Sequence, residues 1–290
     1  MVNNRKKLND KIDQQYIASP SKLRRHLIND RSPFAVVEAY KAARTNLMFM
    51  RSGEGCQKIA VTSTFEGEGK SINCINLSIA LAQNGLRVLL IDADLRRPVV
   101  QRVFSAGTGD GLSELLAGIV DRRNLNNFII QTERENLSIL PAGHTPPNPA
   151  ELLASKQMEG LLNVLAEHYD YIMVDTPPVS VVTDAVVISH LVNGFIFVVR
   201  AGHTPIDGLK ESVFQLEQVG AQVIGFIFND ANAKSSYQKY GKYGKYGYYG
   251  HYDHAGTSAG QSEGPSAADH EHKPPISARE AAQRQTSKPV

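Results

Sequence analysis

Six apolar, strand-length runs alternating with helix-compatible stretches constrain this chain more than any other feature. The runs fall at Lys58–Ser63, Val88–Asp92, Asn136–Leu140, Tyr171–Asp175, Gly194–Val199 and Val223–Phe228. Between them, Ser71–Asn84, Leu112–Ala117, Pro149–Glu167, Asp184–Leu191 and Pro205–Val219 suit helices, and a further helix is expected from Pro33 to about Arg51. Asn148-Pro149-x-Glu151 and Thr204-Pro205-x-Asp207 each offer a cap, a proline at the first position and an acid at the third. Strands that are apolar throughout are buried on both faces. In alternation with helices they predict an α/β fold: a mainly parallel central sheet with helices on both faces. Ligands of such sheets sit beyond the carboxyl ends of the strands, which places Ser63, Asp92, Asp175 and Arg200 along one rim.

The first run leads into Thr64-Phe65-Glu66-Gly67-Glu68-Gly69-Lys70-Ser71, the core of a phosphate-binding P-loop. Gly67 and Gly69 let the backbone approach a polyphosphate and turn N–H groups toward it, and the following helix adds its positive dipole end. Lys70 can reach the β- and γ-phosphates, and the Ser71 hydroxyl can ligate Mg²⁺. The usual pattern opens with glycine five residues before Gly69; here Thr64 stands in that place. The candidate nucleotide-binding set is Gly67, Glu68, Gly69, Lys70, Ser71 and Ile72, with Arg200 and Asn229. Asn229 is placed to bond a base and Arg200 to lie near phosphates or ribose; either residue can equally be a strand-end cap.

Two further strands end in aspartates. Val88–Asp92 runs on into Ala93-Asp94-Leu95-Arg96-Arg97-Pro98, and Asp92 and Asp94 point the same way if extension continues through Ala93. Tyr171–Asp175 delivers an aspartate of the kind that binds Mg²⁺ directly or through water. A backbone cradle, a lysine, a metal and carboxylates are the parts phosphoryl transfer needs, and they make Lys70, Asp92, Asp94 and Asp175 the candidate catalytic residues. The rim by itself leaves open whether water or a hydroxyl accepts the phosphoryl group.

The ends of the chain differ from its middle. Residues 1–32 form a basic arm (Arg5, Lys6, Lys7, Lys11, Lys22, Arg24, Arg25), read either as solvated or as a contact for anionic lipid or an acidic partner. On the helix after Pro33, Glu38, Lys41 and Arg44 recur every three residues, as a solvent-facing side or as a key for a neighbouring subunit. The middle, 33–230, gives way at 231–252 to Tyr237, Tyr240, Tyr243, Tyr246, Tyr248, Tyr249 and Tyr252 in Tyr-Gly-Lys steps. The extension 253–290 is rich in Ser, Gly, Ala, His and Pro, so disorder is expected from 231 onward. A formal net charge of +2 names no partner by itself, and none of the nucleic-acid kind is expected. Cys56 and Cys74 lack metal-ligand spacing, no signal peptide is evident and no apolar run is long enough to span a bilayer. A soluble protein of the reducing cytoplasm is expected.

Together, Gly67-Glu68-Gly69-Lys70-Ser71, Leu90-Ile91-Asp92-Ala93-Asp94-Leu95-Arg96-Arg97-Pro98, Ile172-Met173-Val174-Asp175-Thr176-Pro177-Pro178 and the tyrosine cluster resemble the bacterial protein-tyrosine kinases. The likeness runs from about Pro33 to Tyr252, and is to the stand-alone cytoplasmic type associated with capsule and exopolysaccharide synthesis. It implies Walker A roles for Lys70 and Ser71, a Walker A′ pair in Asp92 and Asp94, and a Walker B aspartate in Asp175. It further implies that Asp92 helps deprotonate an acceptor tyrosine, while Ser71, Asp94 and Asp175 hold Mg²⁺ beside ATP. Glu38-x-x-Lys41-x-x-Arg44 is similar to the family's subunit-contact motif with lysine in place of the first arginine, and lysine forms no planar bidentate pair. Glu66 replaces the family's usual proline before Gly67.

The resemblance also implies autophosphorylation of the tail in trans within a ring-like homo-oligomer. Expected partners are a transmembrane modulator that recruits the protein to the inner face of the membrane, protein substrates and a cognate tyrosine phosphatase. Two other readings stay open: a partition- or division-site-like ATPase, and a nucleotide-gated scaffold without kinase activity. The ATPases carry an extra lysine early in the loop, where this chain has Thr64-Phe65-Glu66, and lack a tyrosine-rich tail.

Overall fold

The computed structural model describes residues 19–50, 55–107, 109–119 and 122–231. The tail tyrosines and the first basic residues of the arm lie outside that set.

Among the described residues seven strands form one sheet: β1 (Gln57–Ser63), β2 (Val88–Asp92), β3 (Ile130–Gln131), β4 (Leu137–Leu140), β5 (Tyr171–Asp175), β6 (Gly194–Arg200) and β7 (Val223–Asn229). Their order is β3-β4-β2-β5-β1-β6-β7, and only the short β3 runs antiparallel to its neighbour. The helices are α1 (Pro20–Arg24), α2 (Phe34–Phe49), α3 (Lys70–Ala82), α4 (Val100–Val103), α5 (Leu112–Ala117), α6 (Pro149–Leu153), α7 (Lys156–Ala166), α8 (Asp184–Val187) and α9 (Ile206–Glu217). Single 3₁₀ segments occupy Arg122–Asn127 and Ser189–Leu191.

Strands β2, β5 and β6 are apolar up to their last residue because both faces of the sheet are covered there. Alternate side chains serve opposite layers. Leu89, Ile91, Ile172, Val174, Phe195 and Phe197 pack against α5, α7 and α9 through Leu115, Leu162, Leu165 and Leu216. Ile59, Val61, Leu90, Met173, Ile196 and Val198 pack on the other side against Ile75, Leu77 and Leu81 of α3, with Leu47 of α2. Helix α3 therefore lies between the sheet and α2, which is why nearly all of its residues are buried rather than one stripe.

The insertion of β5 between β1 and β2 builds the rim. Val61 and Asp92 are both Cα partners of Asp175, so the three strand ends meet side by side.

Several local expectations are corrected. The helix expected over Pro149–Glu167 breaks at Ala154, and Ser155 caps a new start by accepting from the Met158 amide at 3.3 Å. The Asn148 carboxamide donates to Glu151 Oε2 at 2.7 Å instead of capping a backbone amide. The stretch Asp184–Leu191 divides into α8 and a 3₁₀ turn. Helices α2 and α9 begin one residue later than expected, with Pro33 and Pro205 in the cap position. Strand β3 and helix α4 are too short to print a period on the sequence. Within the arm, Pro20–Arg24 is helical, Leu27 and Ile28 are buried, and the Ile28 amide donates to Asn76 Oδ1 at 2.9 Å.

Leu90 is fully buried beneath α3, whereas Val164 on α7 is half exposed. Leu90→Ala is expected to cost about 3 kcal/mol of stability in urea unfolding followed by circular dichroism, and Val164→Ala less than about 1 kcal/mol.

Candidate active site

Strand β1 ends at Ser63, and the loop Thr64–Gly69 turns the chain into α3. Gly67 (φ 77°) and Gly69 (φ 92°) take the left-handed conformation that a Cβ disfavours. At Gly69 space is also short, since a Cβ would lie 2.2 Å from Asn229 Nδ2. The amides opening α3, Lys70 to Ile72, have no intrahelical acceptor and are available to an anion. The Ile72 side chain itself packs into the layer beneath α2.

Side chains from three elements hold the loop. Glu68, although inside the glycine motif, is fully buried and turned back into its own loop. Its Oε2 accepts from the Thr64 and Phe65 amides at 2.8 and 3.0 Å, and the Thr204 hydroxyl bonds its Oε1. This corrects Thr204 from a helix cap to a brace; the same hydroxyl accepts from the Arg200 amide at 2.9 Å. Arg200 Nη1 donates to Gly67 O at 3.2 Å, while Nε and Nη2 hold Asp230 Oδ2 at 3.2 and 3.0 Å. Asn229 Nδ2 donates to Glu68 O at 2.8 Å. Arg200 and Asn229 thus both touch the loop, through its carbonyls.

The carboxylates gather around Lys70. Its Nζ donates to Asp94 Oδ2 at 2.7 Å and to Ser71 Oγ at 3.2 Å, and lies 3.7 Å from Asp175 Oδ1. Asp94 Oδ1 accepts from the Arg97 amide at 3.0 Å. Asp92 Oδ2 accepts the Val99 and Val100 amides at 3.0 and 2.8 Å, at the start of α4. Asp92 Oδ1 and both oxygens of Asp175 are buried without a hydrogen-bond partner. Asp92 and Asp94 therefore do not act as a parallel pair: β2 ends at Asp92, and the two carboxylates bind different groups.

Burial works against the Lys70 charge, but the Asp175 and Asp94 carboxylates more than reverse it and hold the ammonium protonated above its ordinary range. Burial raises Asp175 to about 6, with Lys70 and the adjacent Ser71 hydroxyl restraining the rise. Burial, then the charges of Asp175 and Asp94, push Asp92 well above the usual carboxylate range.

These donors fit Mg²⁺. They are all hard oxygens, and those of Asp175 are buried with the Lys70 ammonium at 3.7 Å and no hydrogen bond among the described residues. Ser71, Asp94 and Asp175 are the residues that would hold the ion.

Two ion pairs, neither signalled by the motifs, fix the segment after Asp94. Arg96 forms a bidentate pair with the fully buried Asp184 of α8 at 2.9 and 3.0 Å. The Arg97 guanidinium meets Glu66 across the mouth of the loop, which gives the residue in the proline position a partner. On α2, the three charges separate. Lys41 pairs with Glu38 at 2.7 Å, whereas Arg44 Nη1 turns inward and donates to Ala80 O at 3.1 Å.

A P-loop, a buried lysine and carboxylates on two neighbouring strand ends define a nucleotide-binding phosphoryl-transfer fold of the P-loop NTPase type. A family model described as an AAA domain matches residues 56–224. The putative tyrosine-protein kinase CapB of Staphylococcus aureus is 34% identical over 202 residues, covering 70% of this chain and 87% of that protein. Tyrosine-protein kinase CpsD of Streptococcus agalactiae is 40% identical over 196 residues, covering 67% of this chain and 82% of the other. The solved kinase domain of the Escherichia coli tyrosine kinase ETK superposes with a TM-score of 0.63 at 36% identity, over 67% of this chain and 74% of that one. The chain belongs to the bacterial tyrosine-protein kinases. Among the described residues no helix is long and apolar enough to cross a membrane.

Asp175 holds a proton in the folded protein, up to about pH 6, that the unfolded chain releases near its ordinary value of 3.8. The folded state binds more protons across that window, so stability falls as pH rises through it and levels off above. Asp92 is shifted the same way, while Lys70 and Asp94, the other groups facing the pair, are each bonded to the other. In metal- and nucleotide-free protein, Asp175→Asn is expected to raise stability at pH 7.5, on the order of 1–3 kcal/mol, and to flatten the slope between pH 4 and 6. Thermal unfolding across pH checks this, and identical profiles for the two proteins would refute it.

Proposed function

We propose that this chain transfers the γ-phosphoryl group of Mg-ATP to tyrosines of its own tail, acting between subunits, and that this activity regulates capsule or exopolysaccharide synthesis. The observation that carries the reading is the convergence of Asp94 and Asp175 on the Lys70 ammonium beside the Ser71 hydroxyl, with Asp92 at the adjoining strand end. The loop amides and Lys70 bind and orient the phosphates. Bound Mg²⁺ supplies charge neutralisation at the phosphate oxygens. Asp92 has the properties of the proton acceptor. One oxygen is anchored by two amides, the other is uncommitted, and its surroundings raise its proton affinity toward the useful range. The tyrosine oxygen forms the new bond to phosphorus, the bond to the β-phosphate oxygen breaks, the hydroxyl proton passes to Asp92, and ADP departs.

The acceptors in this reading are Tyr237, Tyr240, Tyr243, Tyr246, Tyr248, Tyr249 and Tyr252, interleaved with Lys239, Lys242 and Lys245. Each phosphate adds nearly two negative charges, so phosphorylation reverses the charge of the repeat and weakens its attraction to an acidic rim. Assembly into a ring through α2, release of that ring by phosphorylation, recruitment by a transmembrane modulator, further protein substrates and a cognate phosphatase belong to the same reading. Its support is the resemblance of the motifs and the exposed Glu38–Lys41 pair.

Incubation with ATP and Mg²⁺ followed by mass spectrometry is expected to find phosphotyrosine within 237–252. Lys70→Met should lower labelling by about a thousandfold, since it removes the charge that orients the phosphates. Asp92→Asn should abolish labelling while retaining nucleotide binding. Phosphate release with no phosphotyrosine would favour a plain ATPase instead.

A further inference from the structure

A chain of polar groups, buried at Asn73 and Asn76 and half-buried at Tyr40, crosses the otherwise apolar layer between α2, α3 and the sheet, and it ends on the P-loop. Gly69 O accepts from the Asn73 amide at 3.0 Å and from Asn73 Nδ2 at 2.9 Å. Asn73 Oδ1 accepts from the hydroxyl of Tyr40, on α2, at 2.9 Å. The Tyr40 oxygen in turn accepts from Asn76 Nδ2 at 3.1 Å. Asn76 Nδ2 also donates to His26 O at 2.9 Å, and Asn76 Oδ1 accepts from the Ile28 amide at 2.9 Å. Asn73 and Asn76 are buried, at 3% and 1% exposure.

The direction of every bond is dictated from the two ends. Gly69 O and His26 O can only accept, and the Ile28 amide can only donate. Asn73 must therefore turn its nitrogen to the loop and its oxygen to Tyr40, and Asn76 must turn its nitrogen to both His26 and Tyr40. The group between them has to donate to one carboxamide and accept from the other. A hydroxyl does both; a phenylalanine does neither. Burial raises the Tyr40 pKa, which keeps the proton on the oxygen.

We propose that Tyr40 is a positioning residue for the nucleotide. By fixing the Asn73 carboxamide it holds Gly69 in its left-handed conformation, and through Asn76 it ties the P-loop to the docked His26–Ile28 segment. Asn73 and Asn229 are the side chains nearest the space a Cβ would take at Gly69, so the glycine is clamped from both sides. Tyr40 lies between Glu38 and Lys41, so whatever docks on that stretch of α2 acts on the helix that carries the hydroxyl. The effect on nucleotide is mutual: a partner that tightens ATP binding through this relay is itself bound more tightly when ATP is present.

The inference rests on nucleotide binding at this loop, and the experiment separates the two. Full-length wild type, Tyr40→Phe, Asn73→Ala and the double variant are titrated with a fluorescent ATP analogue and Mg²⁺, with Lys70→Met as control. Tyr40→Phe is expected to raise Kd about tenfold, the effect of one lost part-buried hydrogen bond. The same rise is expected in the KM for ATP, with kcat within about twofold. In the Asn73→Ala background, Tyr40→Phe should add nothing further, because the hydroxyl acts through that carboxamide. Equal Kd values for wild type and Tyr40→Phe, even with a lowered unfolding temperature, would reduce Tyr40 to a packing role and overturn the proposal. Additive effects in the double variant would overturn it too. A wild type that binds no analogue, or a Lys70→Met variant that binds as tightly as wild type, would instead refute the nucleotide reading itself.

Discussion

The rim depends on one ammonium group set among carboxylates it cannot fully neutralise. At separations near 4 Å and an effective dielectric of about 20, each opposite-charge contact is worth roughly 4 kcal/mol before desolvation is counted. Of the carboxylates, Asp94 is hydrogen-bonded to Lys70 at 2.7 Å, while Asp175 stands off at 3.7 Å and Asp92 keeps one oxygen without a hydrogen bond among the described residues. Without Lys70, the register that sets Asp92 beside Asp175 would bury like charges together, a cost the apolar layers around them do nothing to offset. The charge is concentrated at the strand ends, and the interiors of β2 and β5 behind it are apolar and buried.

Much of this was legible in the sequence because it depends on local periodicity. Val88–Asp92 and Tyr171–Asp175 match their strands end to end, and Gly67, Gly69, Lys70 and Ser71 sit where a strand–loop–helix reading puts them. Strand adjacency was not legible: no property of either aspartate reveals that β5 is inserted between β1 and β2. Side-chain direction was also out of reach. Glu68 reads as part of a phosphate cradle and Thr204 as a helix cap, yet they meet each other because the ends of β1 and β6 are neighbours in space. Spacing groups Arg44 with Glu38 and Lys41, yet a helix falls about 60° short of a full circle every three residues, and two such steps carry Arg44 round to reach α3. The missed elements, β3 and α4, are too short for any period to register.

The loop is held by its carbonyls and by the Glu68 carboxylate, from both sides. Arg200, Thr204 and Asn229 reach it from the ends of β6 and β7, and Asn73 reaches it from α3. Anchoring through acceptors leaves the donors of the α3 start free of competition. Rigidity and anion affinity are thus supplied by different atoms of the same backbone. Thr64, which departs from the usual glycine, fits the same scheme, since its amide serves Glu68 and its carbonyl accepts from the Ser180 hydroxyl.

Strand β7 ends at the rim, and Asp230 shares the Arg200 guanidinium that also touches Gly67. The root of the tail is therefore moored beside the subunit's own phosphate loop. Seven residues of chain reach at most about 25 Å, so the covalent leash to Tyr237 is short and the leash to Tyr252 several times longer. Short tethers raise local concentration into the millimolar range when they span the gap and to nearly nothing when they do not. In the proposed self-phosphorylation, selection among the tyrosines, and between one subunit's site and a neighbour's, would then be a matter of tether length as much as of affinity.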